Sequence, residues 1–281
     1  MNTGISFKTQ HLTEILASKP PVGFLEVHPE NYMVEGGPRL QALTRLREHY
    51  PLSLHSVSLS LGGSEVVSDQ QLKVLKHMID RYEPSYVSDH LAWCKSGGNY
   101  FPDLLPLPLT DTTLARVCEN VAKTQDALNR QIFIENPSSY LAFSQSEIAE
   151  PEFLQTVART TGCKLLLDLN NIYVSAENLG YDAFDYLEAI PGNLIGEVHL
   201  AGHSVDAAAP ERILIDDHGS RVADSVWALY ARLSERVGPV PTLVEWDTRV
   251  PELSVLLDEA GKAKRIFDDA RPGASNRRIS T

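Results

Sequence analysis

"LLLDLNNIYVS", residues 165–175, runs three leucines of a buried strand straight into Asp168, Asn170 and Asn171. An acid and two amides thus stand where an apolar strand leaves the core. One carboxylate in that position is commonly a turn residue or a helix cap. What Asp168 faces therefore depends on whether other strands in the chain end the same way.

Working outward, β-rich runs alternate with helical ones along the whole chain. The expected strands are GISF (4–7), VGFLEVH (22–28), LSLHSVSL (52–59), YVSDHLAW (86–93), IFIEN (132–136), KLLLDLN (164–170), LIGEVHLA (194–201) and PTLVEWD (241–247). Between them, LQALTRLREHY, DQQLKVLKHMIDRY, LARVCENVAKTQDAL, EPEFLQTVARTTG and SVWALYARLSERVG repeat apolar residues at helical spacing. Ser68-Asp69 marks one helix start, and Gly162 and Gly238 close two helices. Eight strand–loop–helix units predict a single (β/α)8 TIM-like barrel, with an open doubly wound sheet as the alternative. The barrel is expected over residues 1–267, with 268–281 as a frayed tail.

In a barrel the chemistry sits at the carboxyl ends of the strands. Those ends read Glu26 and His28, His55, Asp89 and His90, Glu135, Asp168, His199, and Glu245 with Asp247. Each residue alone has a structural explanation, but a metal-binding side chain at seven of the eight exits does not arise readily by chance. Carboxylates converging on one mouth cannot all stay ionised without cations. The donors are nitrogen and oxygen with no thiolate, which suits Fe, Mn, Zn or Mg, and their number exceeds what one ion needs. "HLAGH" (199–203) adds His203, and "LIDDHG" (214–219) adds Asp216 and His218, whose bland alternative is a solvated loop.

Composition narrows the function classes. Lys and Arg number 25 against 37 Asp and Glu, a net charge of −12 that repels a phosphate backbone and argues against nucleic acid. Cys94, Cys118 and Cys163 are too few and too scattered for a disulfide framework or a thiolate metal site, and read as small apolar residues. No apolar run is long enough to span a membrane, and MNTGISFKTQHLTEILASKP lacks the pattern of a secretory signal. A cytoplasmic protein is expected.

Taken together, FLEVHPENYM, PLSLHSVSLSLGG, VSDHLAW, DLLPLPLT, IENPSSYL, LLLDLNNIYVSA, GEVHLAGH, LIDDHG, VWALYARL and TLVEWD resemble the multinuclear non-heme iron-dependent oxidases. This is the former UPF0276 family, which includes the methanobactin-synthesis oxidase, and the resemblance is greatest to the maturases of bufferin peptides. It spans roughly residues 4–262. It implies a barrel like those of the xylose-isomerase group, two or three iron ions, and dioxygen-dependent modification of cysteine residues in a ribosomally made precursor peptide. The outcome could be ring closure onto a neighbouring amide or cutting of the side chain. Carried over residue by residue, it implies His55, His90 and Glu135 on one iron, and Glu135, Asp168, His199 and Glu245 on a second. Asp216 and His218, with Asn171, would hold a third. Asp89 and His203 would support the site or touch substrate.

A companion protein that grips the leader is also implied. The docking surface is expected at the mouth loop SGGNYFPDLLPLP (96–108), where Tyr100 and Phe101 are candidate aromatic anchors. Two departures stand out: Asp89 replaces the more common Glu before His90, and Pro102 replaces Asn before DLLPLP. Both bear on support and docking rather than on the implied ligands. Two rivals fit the same donors: a divalent-metal sugar isomerase or endonuclease-IV-like hydrolase, and a non-catalytic metal scaffold. The negative charge weighs against the nuclease.

Overall fold

The computed structural model describes residues 3–209 and 212–270. Eight parallel strands close a barrel in sequence order: β1 (Thr3–Ser6), β2 (Leu25–Val27), β3 (Leu52–His55), β4 (Tyr86–His90), β5 (Phe133–Glu135), β6 (Lys164–Asp168), β7 (Ile195–Leu200) and β8 (Thr242–Val244), which returns to β1. Each strand lies at an expected position; β1 keeps the expected four residues but begins one earlier, and the other seven are shorter than the sequence suggests. The clearest correction is at the opening stretch. The strand stops at Asp168, and Leu169–Leu179 is a helix, so Asn170 and Asn171 belong to its first turn. The last helix, Leu253–Asp269, runs two residues past the expected end of the barrel, and 271–281 of the expected tail lie outside the described residues.

The pleat sorts the strand residues by face. Leu25, Val27, Leu52, Leu54, Leu165, Leu167, Val198 and Leu200 point outward and join the apolar core packed beneath the helices. Their alternates, including Glu26, Ser53, His55, Ser88, Glu135 and His199, meet one another across the strands inside the barrel. A barrel this size is normally filled by side chains. Here the upper filling is polar and ionisable, and the floor is aromatic. The ring of Tyr86 lies 5.4 Å from that of Phe24 and 5.8 Å from that of Phe133. Gly4 and Gly196 make room for this floor: a Cβ at either would fall within 3 Å of the Phe24 or Phe133 ring.

Two hairpins stand on the mouth. One pairs Trp93–Ser96 with Asn99–Leu105 through Gly97 and Gly98, whose φ angles of 58° and 77° match the mirror-image turns that suit tight hairpins. The expected docking loop is therefore largely a β-ribbon. The other pairs Ser204–Asp206 with Ile213–Ile215. Helix ends follow local chemistry: Thr110 and Thr113 cap each other at the start of Asp111–Leu128, and Gly162 closes Glu150–Thr161 with φ 74°. Cys94 and Cys163 are buried, Cys118 is partly so, and all three are free.

Gly196→Ala should lower stability by about 1–3 kcal/mol, because the Phe133 ring and Lys164 must both shift in an already filled floor. Thermal and urea melts of metal-free protein would measure this. A melt identical to wild type would mean the floor is loosely packed.

Candidate metal centre

At the barrel mouth Glu135 receives two imidazoles on one oxygen. His55 Nε2 lies 3.0 Å and His90 Nε2 3.1 Å from Glu135 Oε2, and the two ring nitrogens are 3.2 Å apart. The far side of each ring is also held: His55 Nδ1 is 2.7 Å from Ser88 Oγ, and His90 Nδ1 is 3.2 Å from the Ser56 carbonyl. Such outer contacts fix which nitrogen faces the centre. Glu30 steadies the chain leaving β3, its Oε1 accepting from Ser56 Oγ, the Val57 amide and Ser58 Oγ at 2.7–2.9 Å.

His199 sits between two acids, with Nδ1 3.2 Å from Glu245 Oε2 and Nε2 3.4 Å from Glu26 Oε1. Ser53 Oγ donates to the other oxygen of Glu26 at 2.8 Å. Asp168 is fully buried, and its two oxygens have different fates. Oδ1 accepts from the Asn171 amide at 2.7 Å as the cap of the following helix, while Oδ2 has no hydrogen-bond partner. The ordinary explanation of Asp168 as a cap therefore accounts for one oxygen only.

The loop after the second hairpin supplies a shallower tier. His218 Nε2 lies 2.6 Å from Asp216 Oδ1, and its Nδ1 lies 3.0 Å from Asp247 Oδ2 and 3.6 Å from Glu245 Oε2. Asn171 is held through its side-chain nitrogen. Its amide donates to Glu135 Oε1 at 3.3 Å and the Asn136 carbonyl at 3.1 Å. Asn170 takes the place next to Asp216, donating to Oδ1 at 2.7 Å, with His203 Nδ1 2.7 Å from its own Oδ1. Asp89 faces away from the donors, accepting from the Leu59 and His90 amides, with burial and then the Glu30 charge pushing its pKa up to about 7. Tyr100 and Phe101 project from the hairpin, 56 % and 39 % exposed, and Phe101 packs edge-on against Trp93.

One donor atom from each of His55, Glu135 and His199 falls within 4.8 Å of the others, as does one from each of Asp168, His218 and Glu245. Glu26, Glu197 and His199 form a third such group, and His28, Glu245 and Asp247 a fourth. Glu135 Oε2, Asp168 Oδ2, His199 Nε2, His218 Nε2 and Asn171 Oδ1 are buried yet make no well-formed hydrogen bond. Buried polar atoms are nearly always paired, so a row of unpaired donors aimed at shared space fits divalent cations. The charges agree. Burial and the adjacent Glu135 raise the Asp168 pKa well above the carboxylate range. Against its own burial, His55 is carried up to about 10 by Glu135 and then Glu26, whereas burial takes His90 down to about 4. Without cations, this centre keeps balance only by holding protons.

Residues 2–268 match the family model described as RiPP precursor modification enzyme MbnB/TglH/ChrH. The chain belongs to that family. A UPF0276 protein of Paraburkholderia phytofirmans is 49% identical over 264 residues, covering 94% of this chain and 86% of its own. One from Caulobacter vibrioides is 48% identical over 266 residues, with 95% of both chains covered. Among solved structures, a xylose isomerase-like TIM barrel protein from Mycobacterium smegmatis in complex with magnesium superposes with TM-score 0.61 at 11% identity, covering 93% of this chain and 88% of that one. Endonuclease IV from Thermus thermophilus gives 0.55 at 14%, covering 96% and 98%. These likenesses establish a xylose isomerase-like barrel for this MbnB/TglH/ChrH enzyme.

Glu30 and Glu197 also serve the centre, although neither stands at a strand end in the sequence. Glu197 is wholly buried on the His199 face, and neither of its oxygens has a hydrogen-bond partner. The signal was present, since two residues back along a strand lies on the same face. Glu30 carries no such periodic cue, because it stands in a short 3-10 turn after β2.

Replacing His55, Glu135, Asp168 or His199 with Ala should remove most bound metal by elemental analysis, while circular dichroism still reports a folded barrel. His49→Ala, in the exposed turn after helix Pro38–Arg47, and His77→Ala, on the exposed face of helix Asp69–Tyr82, should leave metal content unchanged. Equal loss from His77→Ala would contradict a centre at the strand ends.

Proposed function

We propose that this RiPP precursor modification enzyme is an oxidase that uses two to three iron ions and dioxygen to modify cysteine residues of its precursor peptide. The observation that carries the reading is the set of unpaired buried donors contributed by separate strands, in a family that acts on ribosomally made precursors. His55, His90, Glu135, Asp168, His199 and Glu245 would hold the deeper ions, and Asp216 with His218 a shallower one. Asn171, whose Oδ1 is buried and unpaired, would join that shallower site while its side-chain nitrogen steadies Glu135, and Asn170 supports Asp216. When bound, iron would supply the thiolate affinity and redox chemistry that protein side chains lack.

The remaining work falls to the chain. Ser88 and the Ser56 carbonyl fix the orientation of His55 and His90, and Glu26 with Glu245 clamps His199. The helix beginning at Leu169 holds Asp168 Oδ1 so that Oδ2 stays turned inward. The aromatic floor closes the barrel beneath the donors, which keeps the centre dry and its charges strong. The mouth continues into a cavity of about 400 Å³ bordered by Glu26, His28 and Glu245 together with Lys8, Tyr32 and Arg39. A peptide segment could enter there. Cytoplasmic location is part of the proposal; among the described residues no helix is long and apolar enough to cross a membrane.

The test is to load metal-free protein with ferrous iron under anaerobic conditions, then add precursor peptide and air. A mass change on the cysteine peptide, matched by oxygen consumption and absent from a Cys→Ser peptide, is expected. Full activity with stoichiometric zinc in place of iron would overturn the oxidase reading.

A companion protein that binds the leader fits the exposed aromatics of the first hairpin. The double change Tyr100→Ala and Phe101→Ala should weaken capture of the peptide–companion complex by about thirtyfold, the ~2 kcal/mol of one aromatic hot spot, without changing the melting temperature. Unaltered capture would place the docking surface elsewhere.

A further inference from the structure

A second concavity, of about 490 Å³, lies on the rim of the mouth away from the donors. Its walls are apolar: Leu91, Leu107, Leu141, Phe143 and Leu179, with Leu141 52 % exposed. Its only charged lining groups among the described residues are three acids, Glu150, Asp182 and Asp185. None of the three has a Lys or Arg nitrogen within salt-bridge reach among the described residues. Glu150 accepts from the Tyr186 hydroxyl at 2.7 Å, and its carboxyl is pushed up to about 7 by burial. Asp182 uses one oxygen on the Phe184 and Asp185 amides at the start of helix Ala183–Ala189.

The groove is joined to the metal centre by the chain itself. Leu91 directly follows His90, and the loop that leaves β5 after Glu135 sends Tyr140 one way and Leu141 and Phe143 the other. The Asp216 amide donates to the Tyr140 hydroxyl at 3.0 Å, while Leu141 and Phe143 wall the groove. A ligand in the groove therefore packs against the same loop that touches the shallow donors.

We propose that this groove binds a lysine or arginine side chain of the precursor peptide, its aliphatic stem against the leucines and its cationic head on Glu150, Asp182 and Asp185. Apolar walls suit a methylene stem. Acids without a partner cation supply the complementary charge. The occupant is the substrate rather than a nucleic acid or membrane, because the groove opens beside the reaction centre of a peptide-modifying enzyme and the inference rests on that reading. The site gives the enzyme a means of choosing among thiols that the metal centre, which sees only the cysteine, does not have.

The experiment uses the iron-loaded full chain and capped, fluorescein-labelled synthetic peptides in which alanine replaces cysteine. One arginine is stepped through successive positions, and each peptide is matched by one carrying citrulline, the neutral isostere. In at least one position arginine should bind about tenfold tighter than citrulline by anisotropy, the size of a charge-assisted contact. Glu150→Gln and Asp185→Asn should each shrink that ratio. Asp185 is exposed, so its variant remains informative should Glu150→Gln fold poorly. No arginine preference at any position overturns the proposal, as does a preference that survives both substitutions. A concentration-dependent dimer lost in Asp185→Asn would also overturn it, assigning the groove to a second copy of the chain. Because these peptides lack cysteine, binding is read apart from oxidation. Discrimination without turnover of a cysteine peptide would sink the oxidase reading alone, and turnover without discrimination would sink the groove alone.

Discussion

The structure is governed by one constraint: a barrel interior that must hold several carboxylates and imidazoles with almost no water. Glu26, His55, Glu135, Asp168, Glu197, His199 and Glu245 are each at most 4 % exposed, and they crowd the upper half of one small barrel. Ionised groups at that density repel and lose hydration. The floor of Phe24, Tyr86 and Phe133 offers no relief from below. Stability therefore comes from the other face of the same strands, where leucines and valines pack under the helices. The interior is left free to be a poor core and a good binding site.

Holding such groups in place needs a further layer of contacts, and these come from neighbouring strands. Asn136 replaces a missing backbone pair between β5 and β6: its amide donates to the Asp168 carbonyl at 3.0 Å and its oxygen accepts from the Asp168 amide at 2.9 Å. That locks Asp168 to the strand carrying Glu135. Ser53 and Ser88 do similar work for Glu26 and His55. Small hydroxyls suit this role because they bond sideways without occupying the space the donors share.

Much of this was legible in the sequence, for a physical reason. Strand alternation wrote outward leucines and inward ionisable side chains into stretches such as LSLH and LEVH, so the eight strands and the crowding of ionisable groups at their ends could be read directly. What escaped was local. KLLLDLN looks like one continuous strand because Leu169 prolongs the apolar run past Asp168, even though an acid at that place is a common helix cap. The different contacts of Asn170 and Asn171 follow from that helix, since 100° per residue sends adjacent side chains to different neighbours, one to Asp216 and one to Glu135. The SGGNYFPDLL ribbon looks like a loop in sequence because its strand Asn99–Leu105 is almost wholly exposed and has no alternation of burial to reveal it.

The donors fall into two tiers that differ mechanically. Those on strands are fixed on both flanks by the barrel ladder and are nearly inaccessible. Asp216, His218 and Asp247 stand on connections, with side chains 12 %, 12 % and 33 % exposed. His218 also holds a left-handed backbone, φ 44°, which a non-glycine residue adopts only when its surroundings fix it. That fixing is visible: the Asp247 and Thr248 amides both donate to the His218 carbonyl, tying the loop to the exit of β8. A centre built this way has a rigid base set by the fold and an upper edge set by one strapped loop. The edge touches Tyr140, and through it the wall of the apolar groove. The rim groove and the outermost donors thus share one packed loop, while the deep donors stay as the barrel holds them.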